Sequence, residues 1–247
     1  MIKQYKFKLK NHKCDTLRYG WGYKFHGVLM SSLNNNCGVY DMHASENAAL
    51  SQYVTFTADG LDEWIINLFG NAAIKHFGEY LDSLDKIHID LPGIDVFLTE
   101  KHTQTITSVR ALYVQAEKQL TTNKTIMGFL TPTSFKNDGT YALMPTVQWI
   151  VNSLVSKWNS LWTTSVIADE DAITALIYGL KMTDYNLQSK YYTVKNVKIP
   201  AFIGELTLTT KLPSSLMDIC KPLLYFGRYS GVGIKCALGM GGLEVRG

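Results

Sequence analysis

Between Gly231 and Gly242 the chain reads GVGIKCALGMGG, five glycines in twelve residues, and the LEVRG that follows reads as a strand. Glycine accepts positive φ and leaves open the space a Cβ would fill, so another backbone or a phosphate can come close. Glycine loops that hold nucleotides open a helix, whose first amides then face the phosphate. A strand in that place argues against a dinucleotide fold. The P-loop lysine pattern and the GxSxG nucleophile elbow are also missing from the chain. What remains is a fold with a close turn here. Its naked backbone lies against its own sheet, against an external sugar-phosphate, or against both.

A chain of 247 residues with 46% hydrophobic and 18% charged side chains can bury an ordinary core, which excludes a disordered protein. No apolar run approaches the roughly 18 residues of a membrane span. The opening MIKQYKFKLK has charge but no apolar segment, so a cytoplasmic protein with neither secretory leader nor membrane attachment is expected. Cys14, Cys37, Cys220 and Cys236 form no CxxC pair, which predicts reduced thiols and no zinc site. No clustered carboxylates call for a metal, and no cofactor is expected. Net charge is +3 and uneven: residues 1–120 hold 12 Lys and Arg against 13 Asp and Glu, and residues 121–247 hold 12 against 8. A basic second half suits a polyanion, although a solvated lysine face gives the same count. All six histidines, His12, His26, His43, His76, His88 and His102, fall in the first half.

Period-two alternation over residues 4–10 predicts a strand with Tyr5, Phe7 and Leu9 buried. Residues 22–34 read as a helix packed through Phe25, Val28, Leu29 and Leu33, followed by an Asn- and Gly-rich loop and the strand SQYVTFT. An apolar stripe of Leu61, Trp64, Ile65, Leu68, Phe69, Ala72, Phe77 and Leu81 predicts one long helix over 61–81. Strands at 86–90 and 94–106 complete a β-α-β-α-β unit of ferredoxin-like type. The polar stretch Lys118–Lys124 reads as a linker. Beyond it come the strand TIMGFL, a loop TPTSFKNDG, helices at 145–162 and 169–180, strands at 191–198 and 201–210, a helix at 213–227 and a last strand near 242–246. The expectation is an α+β chain of two tandem ferredoxin-like, RRM-like domains, 1–120 and 121–247, with antiparallel sheets and helices on one face.

Several segments are together familiar. The glycine stretch resembles the C-terminal signature of the CRISPR-associated repeat-processing endoribonucleases, in the superfamily of repeat-associated RNA-binding proteins. Their pattern is Gly-hydrophobic-Gly, five residues, Gly-x-Gly. Here it is Gly231-Val232-Gly233, IKCAL, Gly239-Met240-Gly241. LLYFGRYS, FIGELTL and GFLTPTSFKNDG with its following MPTVQWIVNSLVSKWNSL are similar to the same family, as are HGVLMSSL, DMHAS and YVTFT in the first half. The resemblance implies metal-independent cleavage of CRISPR precursor RNA within each repeat. In that reaction the 2′-hydroxyl attacks its own phosphate and leaves a 2′,3′-cyclic phosphate and a 5′-hydroxyl. Repeat RNA is the implied partner, and effector-complex subunits and a second copy of the chain are further partners it allows. The alternative within the superfamily is a subunit that holds guide RNA without cutting it.

Such a cleavage needs a base, an acid and donors for the charged phosphorane. The resemblance places the catalytic histidine at His43, in a polar loop. A tyrosine of some members stands at Met30 here, and a lysine at Gln52. His26, four residues before Met30, lies on the same helix face and is the candidate for the second proton transfer. Tyr40 is a candidate donor to phosphate, and Lys24 a weaker cation. For RNA contact the candidates are Gly231, Gly233, Lys235, Gly239, Gly241 and Gly242 in the loop, Arg228 before it, and Lys136 in the TPTSFKNDG loop. The loop amides are expected near the sugar-phosphate backbone.

Overall fold

The computed structural model describes residues 1–10, 20–34, 49–57, 60–89 and 93–247. Strand β1 (Ile2–Lys10) alternates as its sequence predicts, with Tyr5, Phe7 and Leu9 buried. It is followed by α1 (Trp21–Asn34), β2 (Leu50–Thr57), β3 (Gly60–Phe69), α2 (Gly70–Ser83), β4 (Lys86–Ile89) and β5 (Ile94–Ile106). These strands form one sheet, β2-β3-β1-β5-β4, with every neighbour antiparallel. Phe25 and Leu29 of α1 and Phe77 and Leu81 of α2 pack with Tyr5, Phe7 and Trp64 in its core. The Phe25 and Trp64 rings meet edge-on, 4.8 Å between centroids.

Helix α3 (Val109–Gln119) leads to a second sheet. Its elements are β6 (Lys124–Thr133), the small hairpin β7 (Phe135–Asn137) and β8 (Thr140–Ala142), α4 (Val147–Leu161), α5 (Glu170–Gly179), β9 (Leu180–Val194), β10 (Val197–Thr210), α6 (Ser214–Ser230), a 3₁₀ turn at Cys236–Leu238 and β11 (Leu243–Arg246). Its strand order is β11-β6-β10-β9. With β4 set aside, both sheets show one pattern: β-α-β-β-α-β in sequence, and fourth-first-third-second in space. A crossover, a hairpin and a second crossover make every adjacent pair in that order antiparallel. The expected pair of ferredoxin-like α+β units is what the chain builds.

The helix expected over 61–81 is the main correction. Residues 60–69 are strand β3, and only 70–83 are helical. Strand β3 lies between β2 and β1, and Trp64, Ile65, Ile66, Asn67 and Leu68 are all buried. A strand covered on both faces shows no alternation, so its apolar run is indistinguishable from a helical stripe. Gly70, at φ 78°, makes the turn from strand to helix. The stretch read as a linker from Lys118 begins inside α3, whose Ser108 cap accepts from Ala111 N–H at 3.1 Å. Strand β9 begins at Leu180, well before the expected 191.

The two sheets are joined through three consecutive residues of edge strand β2. Ser51 Oγ donates to Tyr229 O at the end of α6, and Asn67 Nδ2 donates to Ser51 Oγ at 3.0 Å. Gln52 Nε2 donates to Ala237 O at 2.9 Å. The Tyr53 ring lies flat against Gly242, where a Cβ would stand 2.6 Å from its Cγ. Strand alternation turns Ser51 and Tyr53 to one face of the first sheet and Gln52 to the other.

Candidate functional site

The glycine stretch is a built turn. Helix α6 ends into Gly231 at φ 62°, and positive φ recurs at Gly233, Lys235, Gly239 and Gly241. Val232 N–H donates to Gly241 O at 3.0 Å, closing the stretch on itself. Ile234 N–H donates to Ser134 O at 3.0 Å and Gly241 N–H to Pro132 O at 3.2 Å. Gly242 N–H reaches Thr131 Oγ1 at 2.8 Å, and Gly233 N–H reaches Ser153 Oγ on α4 at 2.9 Å. The TPTS segment at the end of β6 therefore serves as the turn's cradle. The amides of Val232, Gly233, Ile234, Gly241 and Gly242 are thus bonded within the protein, and the turn lies against its own sheet. Ile234 and Met240 pack the turn onto Tyr192, Ile199 and Ala201 of the β9–β10 hairpin.

The turn abuts α1. A Cβ on Gly22 would stand 2.7 Å from Gly239 Cα, and one on Gly239 would stand 2.6 Å from Gly22 Cα. The Tyr192 hydroxyl donates to Leu238 O beside this contact. Gln52, fully buried, secures it: Nε2 donates to Gly22 O at 2.7 Å as well as to Ala237 O, and Oε1 accepts from Trp64 Nε1 at 2.9 Å. Every polar atom of that amide is engaged in structure, so this position is a clamp.

One turn further along α1, His26 is half-buried and hydrogen-bonded to the backbone of Ala237. Its Nδ1 is buried without a partner among the described residues. Burial pushes the imidazole pKa below its ordinary 6.5, and the Ala237 bond opposes this only in part. The neutral ring is thus favoured near pH 7. Because folding lowers this pKa, the associated stability is present above 6.5 and is lost as pH falls through the lowered value. An NMR titration of the folded protein is expected to place His26 below 6.5, and a value at or above it would refute the burial argument. Met30, one turn beyond, packs on the first core.

His43 and Tyr40 lie outside the described residues. Lys235 is exposed in the turn, and Lys136 is exposed on β7, two residues past Ser134. Arg228 lies on the last turn of α6, its guanidinium 5.3 Å from the Tyr225 ring. Three residues escaped the sequence reading as loop-building groups: Gln52, Ser153 and Lys157. Lys157 Nζ reaches Gly231 O at 3.1 Å. The available signal was a lysine directly beside the apolar stripe Ile150, Leu154, Trp158.

The family model for the CRISPR-associated endoribonuclease Cas6 matches residues 127–243, from β6 into β11. A CRISPR-associated endoribonuclease Cas6 of Streptococcus thermophilus is 31% identical over 242 residues, covering 97% of this chain and 95% of its own length. One from Mycobacterium tuberculosis is 27% identical over 230 residues, covering 91% of this chain and 71% of its own. A solved Cas6 product complex is similar in fold at a TM-score of 0.80 and 15% identity, over 100% of both chains. The match thus spans the first half, with α1 and the His43 segment, as well as the glycine turn, and the chain belongs to the CRISPR-associated endoribonuclease Cas6 family.

Proposed function

We propose that this protein is an endoribonuclease that cuts CRISPR precursor RNA within its repeats to release guide RNAs. One observation carries the reading. The glycine turn of the second half is clamped onto α1 of the first, and the residues between α1 and β2 contain His43. An RNA lying on the turn would therefore meet the histidine-bearing side of α1. The fold's solved relatives support this, since they include Cas6 in product and substrate-mimic complexes.

In the proposed reaction a base takes the proton of the ribose 2′-hydroxyl, and that oxygen attacks the adjacent phosphorus. The P–O5′ bond breaks, and an acid gives its proton to the leaving 5′-oxygen. The nucleophile belongs to the substrate, so no metal-bound water is required. His43 takes one proton role, and the neutral, half-buried His26 is the candidate for the other. Lys235, Arg228 and Lys136 supply cations for phosphate contacts that position the strand. Purified protein is expected to cleave its repeat RNA in EDTA, with 2′,3′-cyclic phosphate and 5′-hydroxyl ends identified by mass spectrometry. Cleavage that stops in EDTA, or 3′-hydroxyl products, would overturn the mechanism.

The second reading, a subunit that holds guide RNA without cutting, is favoured by Met30 and by the wholly structural use of Gln52. Tight binding of an intact repeat would select it.

A further inference from the structure

Helix α4 turns Ser153 and Lys157, four residues apart and so on one face, toward the glycine turn. Ser153 Oγ accepts from Gly233 N–H at 2.9 Å. Lys157 Nζ donates to Gly231 O at 3.1 Å and to Ser230 O at 3.5 Å, and it contacts Cys236 Sγ at 3.0 Å. The two carbonyls close α6, where a helix leaves acceptors unfilled and carries partial negative charge. Cys236 belongs to the 3₁₀ turn on the far side of the loop and is only 8% exposed. A single ammonium thus holds the start of the glycine turn to its middle. The buried stripe of α4, Ile150, Val151, Leu154 and Trp158, packs in the second core without it.

We infer that Lys157, seconded by Ser153, is a positioning residue: it sets the contour of the glycine turn and through it the affinity for RNA, without touching the reacting atoms. The inference rests on the endoribonuclease reading above. With many of its amides bonded inside, the turn meets RNA through its contour and its side chains. Removing that charge loosens the Gly231 to Cys236 arm of the turn, while the bonds of Gly241 and Gly242 to Pro132 and Thr131 remain.

Lys157→Met keeps the stem and removes the charge, and Lys157→Arg keeps the charge. Three quantities are compared in the full chain. They are affinity for a repeat RNA with one 2′-deoxy at the cut, single-turnover cleavage at saturating RNA, and amide hydrogen exchange of the glycine turn, read by peptide mass spectrometry without RNA. Losing charge-assisted bonds of this kind should weaken RNA binding by about tenfold or more in Lys157→Met. The saturated cleavage rate should stay within about threefold of wild type, the turn amides should exchange faster, and Lys157→Arg should restore most of the affinity. Ser153→Ala should move the same quantities less, and it decides the matter if Lys157→Met does not fold. Unchanged exchange in the turn would show that Lys157 does not hold it. Faster exchange with wild-type affinity would show that the contour is irrelevant to RNA. A fall in saturated rate with affinity intact would place Lys157 in the chemistry instead. A wild type that ignores repeat RNA would sink the functional reading, and the exchange comparison would still judge the hold of Lys157 on the turn.

Discussion

His43→Ala is expected to slow single-turnover cleavage of the repeat by about 10²-fold or more, with RNA affinity within about threefold of wild type. The asymmetry is the informative part. A proton-transfer group acts in the transition state, so its loss falls on the saturated rate, whereas a phosphate-binding side chain acts on affinity. Substrate with a single 2′-deoxy at the cut is expected to resist wild type and variant alike, because the nucleophile is gone. If His43→Ala cuts at the wild-type rate, the assignment of His43 is wrong. The proton transfer then falls to His26, whose neutral form the fold already favours.

Two glycines of α1 should respond oppositely to the same added methyl. At Gly27 a Cβ meets nothing within 4 Å among the described residues, so Gly27→Ala is expected to stabilise by roughly 0.5–1 kcal/mol through helix propensity alone. At Gly22 the new Cβ would stand 2.7 Å from Gly239 Cα and 3.1 Å from Leu238 O, both backbone atoms. Overpacking of that kind costs about 1–3 kcal/mol. Gly239→Val is expected to cost more, on the order of 3–5 kcal/mol, because overpacking adds to left-handed strain at φ 97°. Denaturant unfolding of the three variants checks this. A stabilised Gly22→Ala would mean that α1 and the glycine turn are not in contact in solution.

The fold was legible in the sequence where each element has one buried face. Strand β1, helix α4 and helix α6 announced themselves by period. Strand β3 did not, because both of its faces are buried and its run of Trp64 to Leu68 carries no period-two signal. The glycine turn was legible as a necessity, a close turn against the sheet, a sugar-phosphate or both, and the structure shows its packing on the sheet. The sequence shows where a Cβ is forbidden and is silent on whether RNA or the chain's own Thr131, Pro132 and Ser134 stands in the vacated space. The roles of Gln52 and Lys157 were illegible for a related reason. Each binds backbone carbonyls distant in sequence, and a carbonyl leaves no trace in residue identity. His43 was proposed from resemblance and His26 from its place one helical turn before Met30, and of the two only His26 lies among the described residues.

Ser51, Gln52 and Tyr53 grip the second half from both faces of the first sheet at once. A turn anchored this way cannot rearrange as a whole: displacing its Ala237 to Gly242 arm has to carry edge strand β2, and with it α1, along. For an RNA seated on this turn as proposed, the entropy of ordering the turn is therefore paid during folding, not when RNA arrives. Calorimetry of such a complex is expected to report contacts made by the turn rather than the turn closing.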